Sequence, residues 1–173
     1  MKKLFALMLA LCLLCGCTAI ADNEITWEQV EPVLTEAGLT GEFVTFEQIA
    51  AKIWIPAGMS AFADEQLPEG YIGYFVADDE SAVSVAYVDV EGMDLDAYAE
   101  AVTANGGTQV ELGTVNGLPC VTYVYPNEDG SANLCCSFTT QAGYILEVAV
   151  GPVADDNAKL GASAILASIQ AAE

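Results

Sequence analysis

The sequence predicts an α+β domain in which a mostly antiparallel meander sheet is packed by helices, and three observations carry that expectation. From Thr108 to Pro152 the runs TQVELGTV, CVTYVYP, NLCCSFTT and YILEVAVGP are separated only by the short turns NGLP, NEDG and QAG, the pattern of consecutive antiparallel neighbours. Helix-period apolar stripes occur before and after these runs rather than alternating with each of them, which separates α+β from a parallel α/β sheet. Hydrophobic residues make up 54% of the chain, enough apolar surface to fold a sequence whose acidity would otherwise suggest disorder.

Each element follows in order. Thr26 opens a capping-box pattern, T-W-E-Q, with Gln29 three residues on, and a helix to about Ala37 is ended by Gly38. Pro32 inside it would kink the helix or delay its start. GEFVTF and AAKIWIP read as strands joined by a tight turn, the second stopped by Pro56. SAFADEQL is a short helix or turn closed by Pro68, after which YIGYFVA and SAVSVAYVDV form a hairpin about DDE. Behind Asp94 as cap, Leu95, Tyr98, Ala99 and Val102 define an amphipathic helix with a glycine stop. The meander comes next, and a helix from about Asp155 to Ala171 closes the chain with Ala158, Ala162, Ile165, Leu166 and Ile169 as its stripe. No internal repeat and no low-complexity segment is present.

The first residues are not part of that domain. Lys2 and Lys3 precede an apolar run from Leu4 to Leu14, about 11 residues where a spanning helix needs about 20, so residues 1–16 read as a secretory signal peptide. Leu14-Cys15-Gly16-Cys17 resembles a bacterial lipobox. The resemblance implies that Cys17 becomes the lipidated N-terminus, that residues 17–25 are a lipidated tether, and that 26–173 is a single α+β domain. A secreted protein cut near Ala19 or Ala21 is the other reading. With two or three acyl chains the mature protein would be held stably on the outer face of the cell membrane, extracytoplasmic, without spanning it. From Thr18 to Ile25 the tether reaches at most about 28 Å, so the domain rides close to the bilayer.

Charge narrows the partners. Loss of Lys2 and Lys3 with the signal, and of no acid, takes the net charge from −21 to −23, and there is no His. Such a surface repels phosphate backbones, so no nucleic acid is expected as partner. The expectation is a monomer held to the membrane by its lipid, with a protein partner of unknown identity and no cofactor.

Three cysteines remain after processing, Cys120, Cys135 and Cys136. The turn between CVTYVYP and NLCCSFTT brings Cys120 near Cys135 or Cys136, so one cross-strand disulfide is open to it, but adjacent strand residues point to opposite faces and cannot both meet it. The competing reading makes all three small buried hydrophobes, with nothing basic nearby to activate a thiolate.

KIWIPAGM, YIGYFVADDESAVSVAYVDV, MDLDAYAEAV, VNGLPCVTYVYP, GYILEVAVGP and the final ILASIQ together resemble the PsbP-like fold over residues 42–172. The resemblance implies an α/β sandwich and a binding or stabilising module; no ligand or catalytic residue transfers with a fold.

Candidate chemistry is sparse. Without His there is no Ser-His-Asp triad, and a Ser-Lys pair would need Lys52 or Lys159, better placed as exposed charges. Asp78-Asp79-Glu80 and Glu128-Asp129 fall in hairpin turns, where solvation explains them. Asp89, Glu91, Asp94 and Asp96 lie within eight residues, the best calcium candidate, yet Met93 stands where an oxygen ligand is required and Asp94 and Asp96 suit a helix start. Trp54 either packs under a helix in the core, the preferred reading, or forms an exposed platform for sugar or peptide, and Tyr71, Tyr74, Tyr123, Tyr125 and Tyr144 either line a groove or bury their rings. The function expected is a non-enzymatic, membrane-anchored extracytoplasmic lipoprotein that binds or stabilises a protein partner; the alternative is a lipoprotein that binds a small ligand or calcium.

Overall fold

The computed structural model describes residues 24–90 and 92–172, so the signal peptide, Cys17 with most of the tether, and Glu91 lie outside the described residues. Two sheets and three helices are seen among them. The large sheet has the order β1-β7-β8-β9-β10-β6-β5-β4, with β1 Glu24–Ile25, β4 Ser60–Ala61, β5 Tyr71–Val76, β6 Ala82–Tyr87, β7 Thr108–Val115, β8 Leu118–Pro126, β9 Ala132–Thr139 and β10 Ile145–Val153. Strands β7 to β10 are the expected meander, and the β5–β6 hairpin joins it through β6 against β10. All pairs are antiparallel except β1 with β7. Glu24 and Ile25, the last residues of the expected tether, therefore belong to the sheet.

A second sheet, β11-β3-β2, was not separable in the sequence. Strands β2 (Gly41–Phe46) and β3 (Ala51–Pro56) form the expected hairpin. Ala51, Ile53, Trp54 and Ile55 are all buried, so β3 is covered on both faces and needs neighbours on each. Within the sheet, β3 pairs on the side away from β2 with β11, Gln170–Ala171, through Lys52 and Ala51.

Helix α1 (Trp27–Ala37) and helix α3 (Asp156–Ala167) lie with the small sheet on one face of the large sheet. Helix α2 (Leu95–Ala104) covers part of the other. Alternation along the central strands divides two cores: Cys120, Cys136, Phe138, Leu146 and Val148 face α1 and α3, whereas Val121, Tyr123, Cys135 and Ile145 face α2. Trp54 is core, as expected, tilted against Trp27 at 5.9 Å between ring centroids.

Two helix boundaries differ from the sequence expectation. Thr26 makes no side-chain cap; the Trp27 N–H instead donates to Asn116 Oδ1 at 2.6 Å, across 89 residues. Pro32 does not delay α1, which starts at Trp27 and runs through it; the proline sits on the exposed side, where water can satisfy the carbonyl of Glu28 that loses its donor. Helix α3 stops at Ala167, not Ala171, because the Ser168 hydroxyl donates to the Ile165 carbonyl at 2.6 Å and accepts the Trp54 N–H at 2.8 Å, turning the chain out into β11. Ile169 stays fully buried, so the apolar stripe continues where the helix does not.

Candidate binding clefts

Of the expected calcium ligands, Glu91 lies outside the described residues, and Asp89, Asp94 and Asp96 form no metal-ligating group. Asp94 accepts the Ala97 N–H at 2.9 Å as the N-cap of α2, Asp96 lies in its first turn, and Asp89 is exposed. No group of three metal-ligating side chains is found among the described residues. The hairpin acids are turn residues: Asp79 accepts the Ser81 N–H and hydroxyl at 3.0 and 2.6 Å, and Asp129 does the same with Ser131 at 2.9 and 2.6 Å. Those serine hydrogen bonds hold both carboxyls below the ordinary range.

The three cysteines are buried free thiols. Cys136 lies opposite Thr122 and shares the α3 face with Cys120, while Cys135 lies opposite Tyr123 on the α2 face. The Cys136 thiol is pushed far up by its hydrogen bond with Cys120 and by burial, and the Cys135 thiol by burial and then by Glu147. Neither thiol is activated as a nucleophile.

The first cleft is a groove of about 690 Å³ between the small sheet and the end of the large one. Glu42, Val44 and Phe46 of β2 form one wall; Phe62, Ile72 and Tyr74, on and beside β5, form the other. Phe46 meets Phe75 edge-to-face at 6.4 Å, and Phe62, Tyr74 and Tyr71 continue as an aromatic row with centroids 5.0 and 6.2 Å apart. Phe62 and Tyr71 are exposed.

Strand edges distinguish this groove. At the large sheet, β1 and β4 are two residues each, and the longer strands behind them, β7 and β5, carry register shifts between Thr108 and Glu111 and between Tyr71 and Gly73. At the small sheet β11 is two residues. Short and bulged edges resist pairing with other chains. By contrast β2 keeps an unbroken register with β3 from Gly41 to Phe46 and has no neighbour on its other side among the described residues. Since the Ala57 N–H donates to the Thr40 carbonyl, the antiparallel alternation sends the backbone groups of Gly41, Phe43 and Thr45 away from β3.

The second cleft, about 390 Å³, opens beside α2 and is lined by Tyr71, Asp89, Tyr98, Asn105, Tyr125 and Glu147 among others. Glu147 is half-buried and accepts from the Tyr123 hydroxyl. With that proton committed, Tyr98 and Ser137, each 2.9 Å from the same oxygen, donate to it. Burial raises Tyr98, Tyr123 and Tyr125, with the charge of Glu147 adding to the shift of each. Of the tyrosines expected to line a groove, Tyr71 and Tyr125 do so here and Tyr74 in the first cleft; Tyr123 is core, and Tyr144 is exposed against Tyr87. Sequence reasoning missed Glu147, Ser137 and Tyr98 as a group. The available signal was one acid inside the apolar run YILEVAV.

No protein-family model and no curated protein matches the chain. Among solved structures it is similar to cyanobacterial PsbP (CyanoP) from Synechocystis sp. PCC 6803, with a TM-score of 0.57 and 12% identity over 90% of this chain and 97% of that one. A Bacteroides thetaiotaomicron protein gives 0.47 at 16% identity over 77% and 49% of the two chains, and the Saccharomyces cerevisiae Ran-binding protein Mog1p gives 0.42 at 13% over 78% and 97%. The CyanoP likeness covers nearly the whole of both chains, and with it the architecture is an α+β fold of the PsbP-like kind.

Proposed function

We propose that this chain is a membrane-anchored extracytoplasmic lipoprotein whose domain is a non-catalytic module for a protein partner, and that the partner enters as an extended, Lys- or Arg-bearing segment beside β2. The observation that carries the binding reading is the β2 edge: six residues long, unbroken in register, open on one side and bordering an aromatic groove. Added strands are held by main-chain hydrogen bonds, with alternate side chains entering pockets. The −21 charge of the chain, with Glu42 on the groove wall, selects a basic segment. The lipobox-like Leu14-Cys15-Gly16-Cys17 supports the anchor.

Two variants test this. Thr45→Pro removes a donor that faces the open side and leaves the β2–β3 bonds intact. Full-length protein isolated from its native membrane should bring one stoichiometric partner, which Thr45→Pro should lose at unchanged melting temperature while Glu128→Ala keeps it. Wild-type recovery with Thr45→Pro rejects the β2 mode. Cys17→Ala should end acyl labelling, and a processed, labelled Cys17→Ala protein rejects the anchor.

A further inference from the structure

Glu147 has no cationic partner among the described residues. One oxygen accepts from Tyr123, and the other has no partner among the described residues. Every fully enclosed side-chain oxygen or nitrogen among those residues is hydrogen-bonded, so the second oxygen reaches solvent in the cleft. No lysine among the described residues lines that cleft. Lys52 lies over Phe43 in the small sheet, at 5.4 Å from the ring centroid, and Lys159 is on α3. A half-buried carboxylate held by one tyrosine hydroxyl and left without a counter-charge attracts a cation from outside.

The walls decide which cation. Tyr98 and Tyr123 stand edge-to-face at 6.2 Å, and Tyr123 and Tyr125 at 5.4 Å, their planes 69° and 82° apart. Tyr71, Tyr98 and Tyr125 all contribute to the lining. Tyrosine faces attract ammonium groups, most strongly where water is displaced. Calcium would require about six to eight oxygens, whereas the carboxylates lining this cleft are Glu147 and the exposed Asp89, beside rings, and no group of three metal-ligating side chains is found among the described residues. Its volume of about 390 Å³ falls within the size range of small-ligand sites. The −21 net charge concentrates cations at the surface.

We propose that the cleft beside α2 binds an alkylammonium group, with Glu147 as its counter-charge and Tyr71, Tyr98 and Tyr125 as its aromatic walls. The test uses the full chain in maltoside micelles and two probes, choline and n-butylammonium, followed by saturation-transfer NMR against 3,3-dimethylbutan-1-ol, the neutral isostere of choline. At least one probe should bind saturably, and choline binding would place a quaternary group in the cleft where n-butylammonium alone would place a primary one. The isostere should bind about tenfold more weakly or not at all, and Glu147→Gln, whose amide oxygen still accepts from Tyr123, should weaken the ammonium by about tenfold, or 1.4 kcal/mol. Tyr71→Ala, at an exposed position, should weaken it about threefold, within the range of a cation–π contact. Absence of saturable binding by both ammonium probes, equal binding of choline and its isostere, or undiminished binding by a folded Glu147→Gln protein overturns the proposal.

Discussion

Replacing Asn116 tests how the layers are joined. Its carbonyl oxygen accepts the Trp27 N–H at 2.6 Å, and its amide donates to the Ala167 and Ile169 carbonyls at 2.8 Å each. One side chain therefore ties the β7–β8 turn to the start of α1 and the end of α3. Its backbone is left-handed at φ 47°, next to Gly117 at 77°, a two-residue hairpin turn suited to Asn-Gly. Asn116→Gly removes the three bonds without backbone strain. At about 1 kcal/mol net for each bond, the loss is about 3 kcal/mol. For a domain of this size that lowers Tm by about 6–12 °C, as 1 kcal/mol corresponds to about 2–4 °C. Asn116→Asp keeps the acceptor for Trp27 but sets a carboxylate against two carbonyl oxygens, so it should be less stable than Asn116→Gly. Urea and thermal unfolding of the two variants measure the difference. A change below about 0.5 kcal/mol for Asn116→Gly, the scale of an ordinary surface substitution, or an Asn116→Asp protein more stable than Asn116→Gly, would refute the role assigned to this residue.

Three other outcomes are expected. Gly41→Ala should destabilise by about 1–3 kcal/mol in denaturant melts, because its Cβ would strike the Ile55 carbonyl and stand 2.6 Å from the Trp54 ring. Asp94→Ala should cost about 1 kcal/mol and Asp94→Asn much less, as for a helix cap, with calcium and magnesium shifting the melt of wild type equally; a calcium shift several degrees larger that disappears in Asp94→Asn would instead make Asp94 a ligand. Tyr98, Tyr123 and Tyr125 keep their protons above the ordinary tyrosine value of about 10 because burial raises them. The unfolded chain sheds those protons first, so stability present below pH 10 should fall as pH rises through the folded values, and Tyr123→Phe should flatten that fall in alkaline melts.

How much of this was legible depends on whether the cause was local. The hairpins were, since Asn116-Gly117 and the Asp-x-Ser turns at Asp79 and Asp129 carry their conformations in adjacent residues. Helix α2 was, since Asp94 caps it from within. The cap of α1 was not, because Asn116 supplies it from 89 positions further along the chain. The end of α3 was not, because Ile169 continues the apolar stripe while the partner of Ser168 is Trp54, on a strand more than a hundred positions earlier. The second sheet was hidden for a similar reason: alternation in AKIWIP is masked when both faces are buried. Glu147 stood out only as an acid in an apolar run; the hydroxyls that surround it come from α2, β8 and β9.

The two clefts are separable by the same alternation that divides the cores. Glu147 and its hydroxyl partners lie on the α2 face, whereas Thr45 sits on the small sheet and shares no hydrogen-bond partner with them. Substitutions without shared partners add in their effects, so Glu147→Gln should leave capture of a β2-bound segment unchanged and Thr45→Pro should leave ammonium binding unchanged. Strand β5 is the element that touches both, since Tyr71 lines the α2 cleft, Ile72 and Tyr74 line the groove, and the bulge between Tyr71 and Gly73 separates them. The Tyr71–Tyr74–Phe62 row is a chain of ring contacts that joins the two sites. Coupling of binding free energies is reciprocal. An ammonium ligand that strengthened partner binding would have to be strengthened by the partner to the same factor, and Tyr74→Ala, by breaking the row, should bring both factors toward one.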